Sequence, residues 1–250
     1  MKLLAFETAT EACSVAVWVD GDVRERFELA PRRHAELALP WAEALLAEAG
    51  IARAQLDAVA VGRGPGAFTG VRLAISLAQG IALALDRPIV PVSTLATLAM
   101  QGQGRVLAAI DARMGEVYLG AFAAAGGDVA ALGREVVVAP GQASLQDLVA
   151  APSAATSGTH APGADPHAAS VEAWQGIGTG FAAADAALQA RLGGLLQRID
   201  AAALPRAADT ARLAAAAFAR GEALAPERAE PAYLRDHVAL TLAEQQARGK

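Results

Sequence analysis

Two carboxylates stand at comparable places in the chain. Glu7 follows the apolar run Lys2–Phe6 and precedes two hydroxyls, Thr8 and Thr10. Asp111 follows the apolar run Val106–Ile110. Acids at the ends of facing strands, beside hydroxyls, can hold a hydrated Mg²⁺ next to phosphates. The same placement serves to cap turns, which is the simpler reading, and the residues alone leave both open.

A second candidate is the segment Val61–Leu85, VGRGPGAFTGVRLAISLAQGIALAL. It carries four glycines and a proline between Gly62 and Gly70. Gly62, Gly64 and Gly66 permit backbone conformations closed to other residues, and Pro65 fixes φ, so a tight turn is expected. A P-loop would need Lys-Ser/Thr after the glycines, and none follows. A dinucleotide fingerprint would need an acid at the end of the next strand, where Ser93 stands. The glycine loop therefore reads as structural. No His-x-x-x-His pair and no Gly-x-Ser-x-Gly elbow occurs in the chain. His34 has Ala38 at i+4 and so lacks a helical metal partner, which leaves no metal site and no catalytic set to name. Cys13, the single cysteine, excludes an internal disulfide and reads as a buried, inert thiol.

These residues need elements to position them. Lys2–Phe6, Ser14–Val19 and Asp22–Leu29 read as three antiparallel strands, with Asp20-Gly21 as a hairpin turn. A helix is expected from Arg33 to Ala49, with Leu37, Trp41, Ala44 and Leu45 on one face, Pro40 in its second turn and Gly50 as its stop. Ala58–Val61 is a buried strand leading into the glycine loop. From Gly70 to Leu85 the helix is apolar nearly all round. Gly70, Ala74, Ala78 and Ala82 form a small stripe, Leu73, Leu77, Ile81 and Leu85 a large one, and Arg72, Ser76 and Gln79 the single polar strip. So little polar surface predicts cover on more than one side, by its own sheet and by a second domain or chain, although an ordinary central helix of an alanine-rich protein fits the pattern equally.

After the strand Ile89–Val92 the pattern restarts. Val106–Ile110, Asp111, a turn at 112–115 and the strand Glu116–Phe122 repeat the order strand, acid, turn, returning strand about a hundred residues on, which suggests a duplicated two-lobed architecture. Val136–Val138 is a further strand. Residues 150–173 are rich in Ala, Pro, Gly and Ser and read as a flexible insertion, in which His160 and His167 are spacers. Trp174–Phe181 returns to strand and glycine turn, followed by a helix at 182–192. Asp209–Arg220 is the last helix, with Asp209 as its expected N-cap and Gly221 past its end. On this reading the first lobe is 1–104, the second 105–208, and the tail 221–250, with the last helix expected to pack back on the first lobe.

At 54% apolar and 19% charged residues the composition is that of a globular chain. The longest uncharged apolar run, Leu73–Leu85, falls short of a bilayer span, Glu7 and Glu11 interrupt any signal-peptide core, and a cytoplasmic protein without membrane contact is expected. A net charge of −5 and a pI of 5.4 argue against unaided grip on a nucleic-acid backbone.

Taken in order, LLAFETATEACSVAV, HAELALP, AVGRGPGAFTGVRLAISLAQGIA, STLATLA, AAIDARMGEVYLG and EPAYLR resemble the TsaB family. The resemblance spans the chain except residues 150–173. It implies an α/β, actin-like (ASKHA) two-lobed fold, with a duplicated mixed-sheet core flanked by helices. It implies a non-catalytic partner of the transferase TsaD and the ATPase TsaE. Together these move threonylcarbamoyl from threonylcarbamoyl-AMP to N6 of the adenosine 3′ of the anticodon, in tRNAs reading codons that start with A. The family pairs through its first-lobe helices, as a homodimer alone or in exchange with TsaD, which here implies an interface at Leu37, Trp41, Leu45, Gly70, Leu73, Ala74, Leu77, Ala78 and Ile81. TsaD carries a metal-binding His-x-x-x-His just past the strand corresponding to Ile89–Val92; here Thr94 and Leu98 stand in its place, and neither can replace imidazole. Contact with tRNA is expected only through the partners, and no cofactor is implied. The rival reading is a stand-alone ATPase or phosphotransferase, weakly binding ATP or ADP with Mg²⁺ through Glu7, Thr8 and Asp111.

Overall fold

The strand expectations convert into two mixed sheets built on one plan. The computed structural model describes residues 1–150 and 173–235. In the first sheet β1 (Lys2–Glu7), β2 (Ala12–Val19) and β3 (Asp22–Leu29) form an antiparallel meander. The turn between β2 and β3 places Asp20 and Gly21 at φ +49° and +110°, the left-handed pair such hairpins require. β4 (Ala58–Gly62) lies parallel to β1, and β5 (Ile89–Val92) parallel to β4, giving the order β3-β2-β1-β4-β5.

The second sheet repeats this path. β6 (Gly104–Arg113), β7 (Glu116–Ala125) and β8 (Asp128–Ala131) are antiparallel, and β10 (Trp174–Ile177) and β11 (Leu196–Asp200) add in parallel beside β6. The order is therefore β8-β7-β6-β10-β11, with β9 (Val136–Val138) pairing on β7. The duplicated core is present, down to strand order and direction. β8 and β11 extend it beyond the sequence reading, because four or five residues such as LQRID carry no alternation strong enough to mark a strand.

Alternating side chains feed two cores in the first half. Leu4, Phe6, Val15, Val17, Val59 and Val61 face α1 (His34–Glu48) and α2 (Phe68–Leu85). Leu3, Ala5, Ala16, Ala58 and Ala60 face α6 (Ala207–Ala219) on the opposite side. Burial on both faces explains why β1 and β4 read as unbroken apolar runs. Each fully buried Leu, Ile or Phe contributes about 2 kcal/mol.

In the second half, α3 (Thr94–Ala99) packs Leu95, Leu98 and Ala99 against Val106, Ala108 and Ile110. On the other face Leu148 of α4 (Leu145–Ala150), and Leu188 and Leu192 of α5 (Ala183–Leu192), cover Leu107, Val117 and Leu119. α3 and α4 were not anticipated; each has six residues, less than two helical turns.

The last helix corrects one expectation. It begins at Ala207, and Asp209 lies inside it, its carboxylate paired with Arg212 at 2.7 Å. The cap is supplied from β2 and β3: the Ala207 N–H donates to Ser14 Oγ at 2.9 Å and the Ala208 N–H to Glu25 Oε1 at 3.0 Å. Glu25 also pairs with Arg206, which stacks over the Phe27 ring. An acid 183 residues upstream thus does the work a local N-cap residue would do.

α2 has the length and mean hydropathy (1.6) of a membrane span. Its full 18 residues exceed the uncharged run read from the sequence. Its buried side chains, Val71, Ala74, Ile75, Ala78 and Ala82, belong to the first core, so it is a core helix in this fold. The insertion at 150–173, but for its end residues, and residues 236–250 of the tail lie outside the described residues.

Candidate functional site

The first carboxylate is sealed in. Glu7 is 1% exposed at the end of β1; its Oε1 accepts the Ala9 N–H at 2.9 Å and its Oε2 the Thr94 hydroxyl at 3.1 Å. Burial outweighs these bonds and pushes its carboxyl up to about 7. The Thr8 hydroxyl donates to the Gly70 carbonyl at 2.7 Å.

The glycine loop closes over this turn. A Cβ at Gly62 would collide with the Glu7 carboxylate, one at Gly66 with the Ala9 carbonyl, and one at Gly70 with the Thr8 carbonyl. Gly64 sits at φ +89°, and the Gly64–Pro65 bond is cis. The loop clamps the turn after β1, and both Glu7 carboxylate oxygens are engaged away from solvent.

The second carboxylate is open. Asp111 accepts the Arg113 N–H at 2.8 Å and pairs with the Arg113 guanidinium at 2.9 Å, while its own N–H donates to Thr179 Oγ1 at 3.3 Å. Arg113 and Met114 both take left-handed backbone, φ +61° and +56°, at the tip of the β6–β7 hairpin.

Asp111 lines a cleft of about 1000 Å³ between the two halves, and Glu7 and Thr8 do not. One wall is the start of α2 with the segments at 9–11 and 31–34; the other is the end of β6 with Tyr118 and Thr179. His34 lines it too, its Nε2 donating to the Thr10 carbonyl at 3.0 Å.

Residues 226–235 run from α2 across the cleft mouth. Gln79 donates to the Pro226 and Ala229 carbonyls, and the Ala232 N–H to the Arg63 carbonyl. Arg235 reaches the opposite half, pairing with Glu116 at 2.5 Å and donating to the Ala112 carbonyl. The polar strip of α2 is thus partly the seat of this strap. Tyr233 and Arg235 were visible in the sequence only as part of the EPAYLR motif.

The expected partner surface divides. Ala74 and Ala78 are 0% exposed and Leu45 is 1% exposed, so these three serve the chain's own first core and are corrected as interface residues, while Gly70 backs onto Thr8. Leu37, Trp41, Leu73, Leu77 and Ile81 lie half-buried; of these Leu37, Trp41, Leu77 and Ile81 pack at the edge of that core. The large apolar side chains classed as exposed nearby are Leu39 on α1 and Phe68 and Leu83 on α2, which the stripes read from the sequence omitted. Ala74, Ala78 and Ala82 of the small stripe pack in the chain's own first core. Cys13 is buried, and its thiol is pushed up to about 11, chiefly by desolvation. Thr94 and Leu98 are both fully buried, the first bonded to Glu7 and the second packed on the second sheet.

Comparison with known proteins agrees with this architecture. The family described as "TsaD: tRNA N6-adenosine threonylcarbamoyltransferase" matches residues 28–242. The tRNA threonylcarbamoyladenosine biosynthesis protein TsaB of Escherichia coli K12 is 41% identical, over 96% of both chains. The protein of the same name from Haemophilus influenzae is 46% identical over 47% of this chain and 52% of its own. The solved structure of YeaZ from Pseudomonas aeruginosa superposes with a TM-score of 0.75 at 40% identity, over 93% of this chain and 99% of that one. With an actin-like, two-lobed α/β fold and relatedness along nearly its whole length, the chain belongs to the TsaB family of tRNA threonylcarbamoyladenosine biosynthesis proteins.

Proposed function

We propose that the chain is a cytoplasmic, non-catalytic scaffold subunit in tRNA threonylcarbamoyladenosine biosynthesis, pairing with TsaD in a complex that also contains TsaE. The full-length relatedness to a protein named for that pathway carries the reading. Thr94 and Leu98, in place of a metal-binding histidine pair, support a partner of the transferase rather than the transferase itself. The outer side of α2 supports the pairing role: Ser76, Gly80, Leu83 and Ala84 are exposed on a helix whose polar strip is already partly occupied by the strap. With Leu39 on α1 this surface is where a second helix pair would lie, either from another copy or from TsaD. A stand-alone nucleotide hydrolase using Glu7 with Asp111 is disfavoured by the burial of Glu7.

Light scattering of the purified chain, alone and with TsaD of its own organism, tests the proposal. A homodimer that gives way to a one-to-one complex is expected. Leu83→Glu, on the exposed side, should weaken that complex at least tenfold while leaving the circular-dichroism spectrum unchanged. A chain that stays monomeric and ignores TsaD would overturn the scaffold role.

A further inference from the structure

Residues 231–235 of the EPAYLR motif line the cleft, and none of the residues offered above for pairing does. The strap that carries them has a firm root and a loosely held arm. Ala229 is buried in the first core, where Gln79 of α2 donates to its carbonyl at 3.2 Å and to that of Pro226 at 2.9 Å. Beyond this root, residues 230–235 have no helix or strand and no buried side chain. The Ala232 N–H donates to the Arg63 carbonyl at 2.8 Å, and Arg235 fastens the end. A segment with so little buried surface belongs to the low end of local stability.

The seat for Arg235 is the tip of the β6–β7 hairpin, on the other half of the molecule. Left-handed backbone at Arg113, Met114 and Gly115 makes this turn. Arg235 Nε and Nη2 both donate to Glu116 Oε2, at 3.0 and 2.5 Å, and Nη2 also to the Ala112 carbonyl at 3.1 Å. Arg113 pairs with Asp111, which leaves Glu116 to the strap. A planar guanidinium serves a carboxylate and a carbonyl at once, where an ammonium is a single point of charge. The paired side chains are 19% and 36% exposed, so water reaches the contact and it can be broken at modest cost.

Closure also leaves one donor unsatisfied. The Arg72 guanidinium lies 3.2 Å from the centroid of the Phe68 ring and 5.0 Å from that of Tyr233, and its Nη1 is shut off from solvent without an acceptor. Aromatic faces accept no N–H bond along the guanidinium plane. Lifting Tyr233 with the arm removes one of the two rings and lets water in, which offsets part of what Arg235 loses. Other ties between the halves, Ser93 to Glu135 and Arg220 to Asp128, use no residue that lines the cleft, so they persist when the arm moves.

We propose that residues 230–235 are a releasable latch over the cleft, pivoting at Ala229 and fastened to the second half by Arg235 on Glu116 and the Ala112 carbonyl. Released, the arm uncovers Arg72 and opens the cleft mouth. The latch is a property of the single chain and stands whether or not the pairing role holds.

Two measurements on the full chain test it. The first is amide hydrogen exchange. Arg235→Gln should speed exchange of the Ala232 amide at least tenfold and leave the amides of β1 and β4 unchanged. Arg235→Lys should fall between variant and parent. Arg235→Glu combined with Glu116→Arg should restore more protection than either change alone. The second is alkylation of Val71→Cys, at a cleft-wall position 5% exposed, with Cys13, buried and outside the cleft lining, as internal control. Adding Arg235→Gln should raise its alkylation rate at least tenfold, with no change at Cys13 or in the circular-dichroism spectrum. Exchange and alkylation that ignore Arg235→Gln overturn the latch. So does faster exchange spread equally over β1 and β4, which marks general destabilisation. A reversed pair no better than its single changes overturns Glu116 as the catch.

Discussion

The two halves put a carboxylate at the same topological point and treat it in opposite ways. β1 and β6 each lie central in their sheets, each pairs antiparallel with the next strand, and each delivers an acid to its C-terminal end. A Gly-x-Gly-x-Gly run follows the neighbouring parallel strand in both halves, Gly62–Gly66 after β4 and Gly176–Gly180 after β10. In the first half a Cβ at Gly62 would strike the Glu7 carboxylate; in the second, one at Gly176 would strike the Phe181 ring. The same vacancy thus holds an acid in one half and an aromatic ring in the other. The displaced acid of the second half, Asp111, is left in the cleft beside Arg113. A duplicated fold keeps its packing device while only one copy leaves its acid open to the cleft.

The sharpest way to break this comparison is to fill the first clamp and the second turn in parallel. In Gly70→Ala the added methyl meets the Thr8 carbonyl, a backbone atom that cannot move without shifting β1. Gly115, at φ +78°, has open space around it, so Gly115→Ala carries only left-handed strain. Urea unfolding should show a loss of about 3 kcal/mol or more for the first and about 1 kcal/mol for the second. Equal losses would mean that the two turns are sealed alike.

Next in size is the pH dependence written into Glu7. Its folded-state pKa, about 7, lies above the ordinary glutamate value of 4.5. The folded state therefore holds the proton more tightly. Stability from this group is full below about pH 4.5 and is lost as pH rises through 7, by about 3 kcal/mol in all. Glu7→Gln imitates the protonated form. The variant should match the parent near pH 4 and exceed its stability at pH 8. Glu135 and Asp209 are also raised by burial, so the difference between variant and parent is the readout. A difference that stays flat from pH 5 to 8 would show that Glu7 is not sealed.

Sequence order made the repeat legible because strand, acid and turn recur with few interruptions, and the motif string carried the family. It did not reveal which way α2 faces. A helix apolar all round has no preferred side in its own pattern, and Ala74 and Ala78 fit a neighbouring chain as well as a neighbouring sheet. Nor could it reveal the cap on α6, since Ser14 and Glu25 meet Ala207 and Ala208 only after folding. The glycine run at 176–180 was the available signal for the second half of the clamp. Arg72 stood out only as a polar exception; its isolation depends on Tyr233, far along the chain.

The smallest effect is expected at Asp111, and it is the one that separates the two carboxylates most cleanly. Its partner Arg113 is 80% exposed, and exposed pairs contribute at most about 1 kcal/mol. Asp111→Asn keeps an acceptor for the Arg113 N–H, so the hairpin should lose less than that in urea unfolding. A loss above about 2 kcal/mol would make Asp111 a structural acid like Glu7.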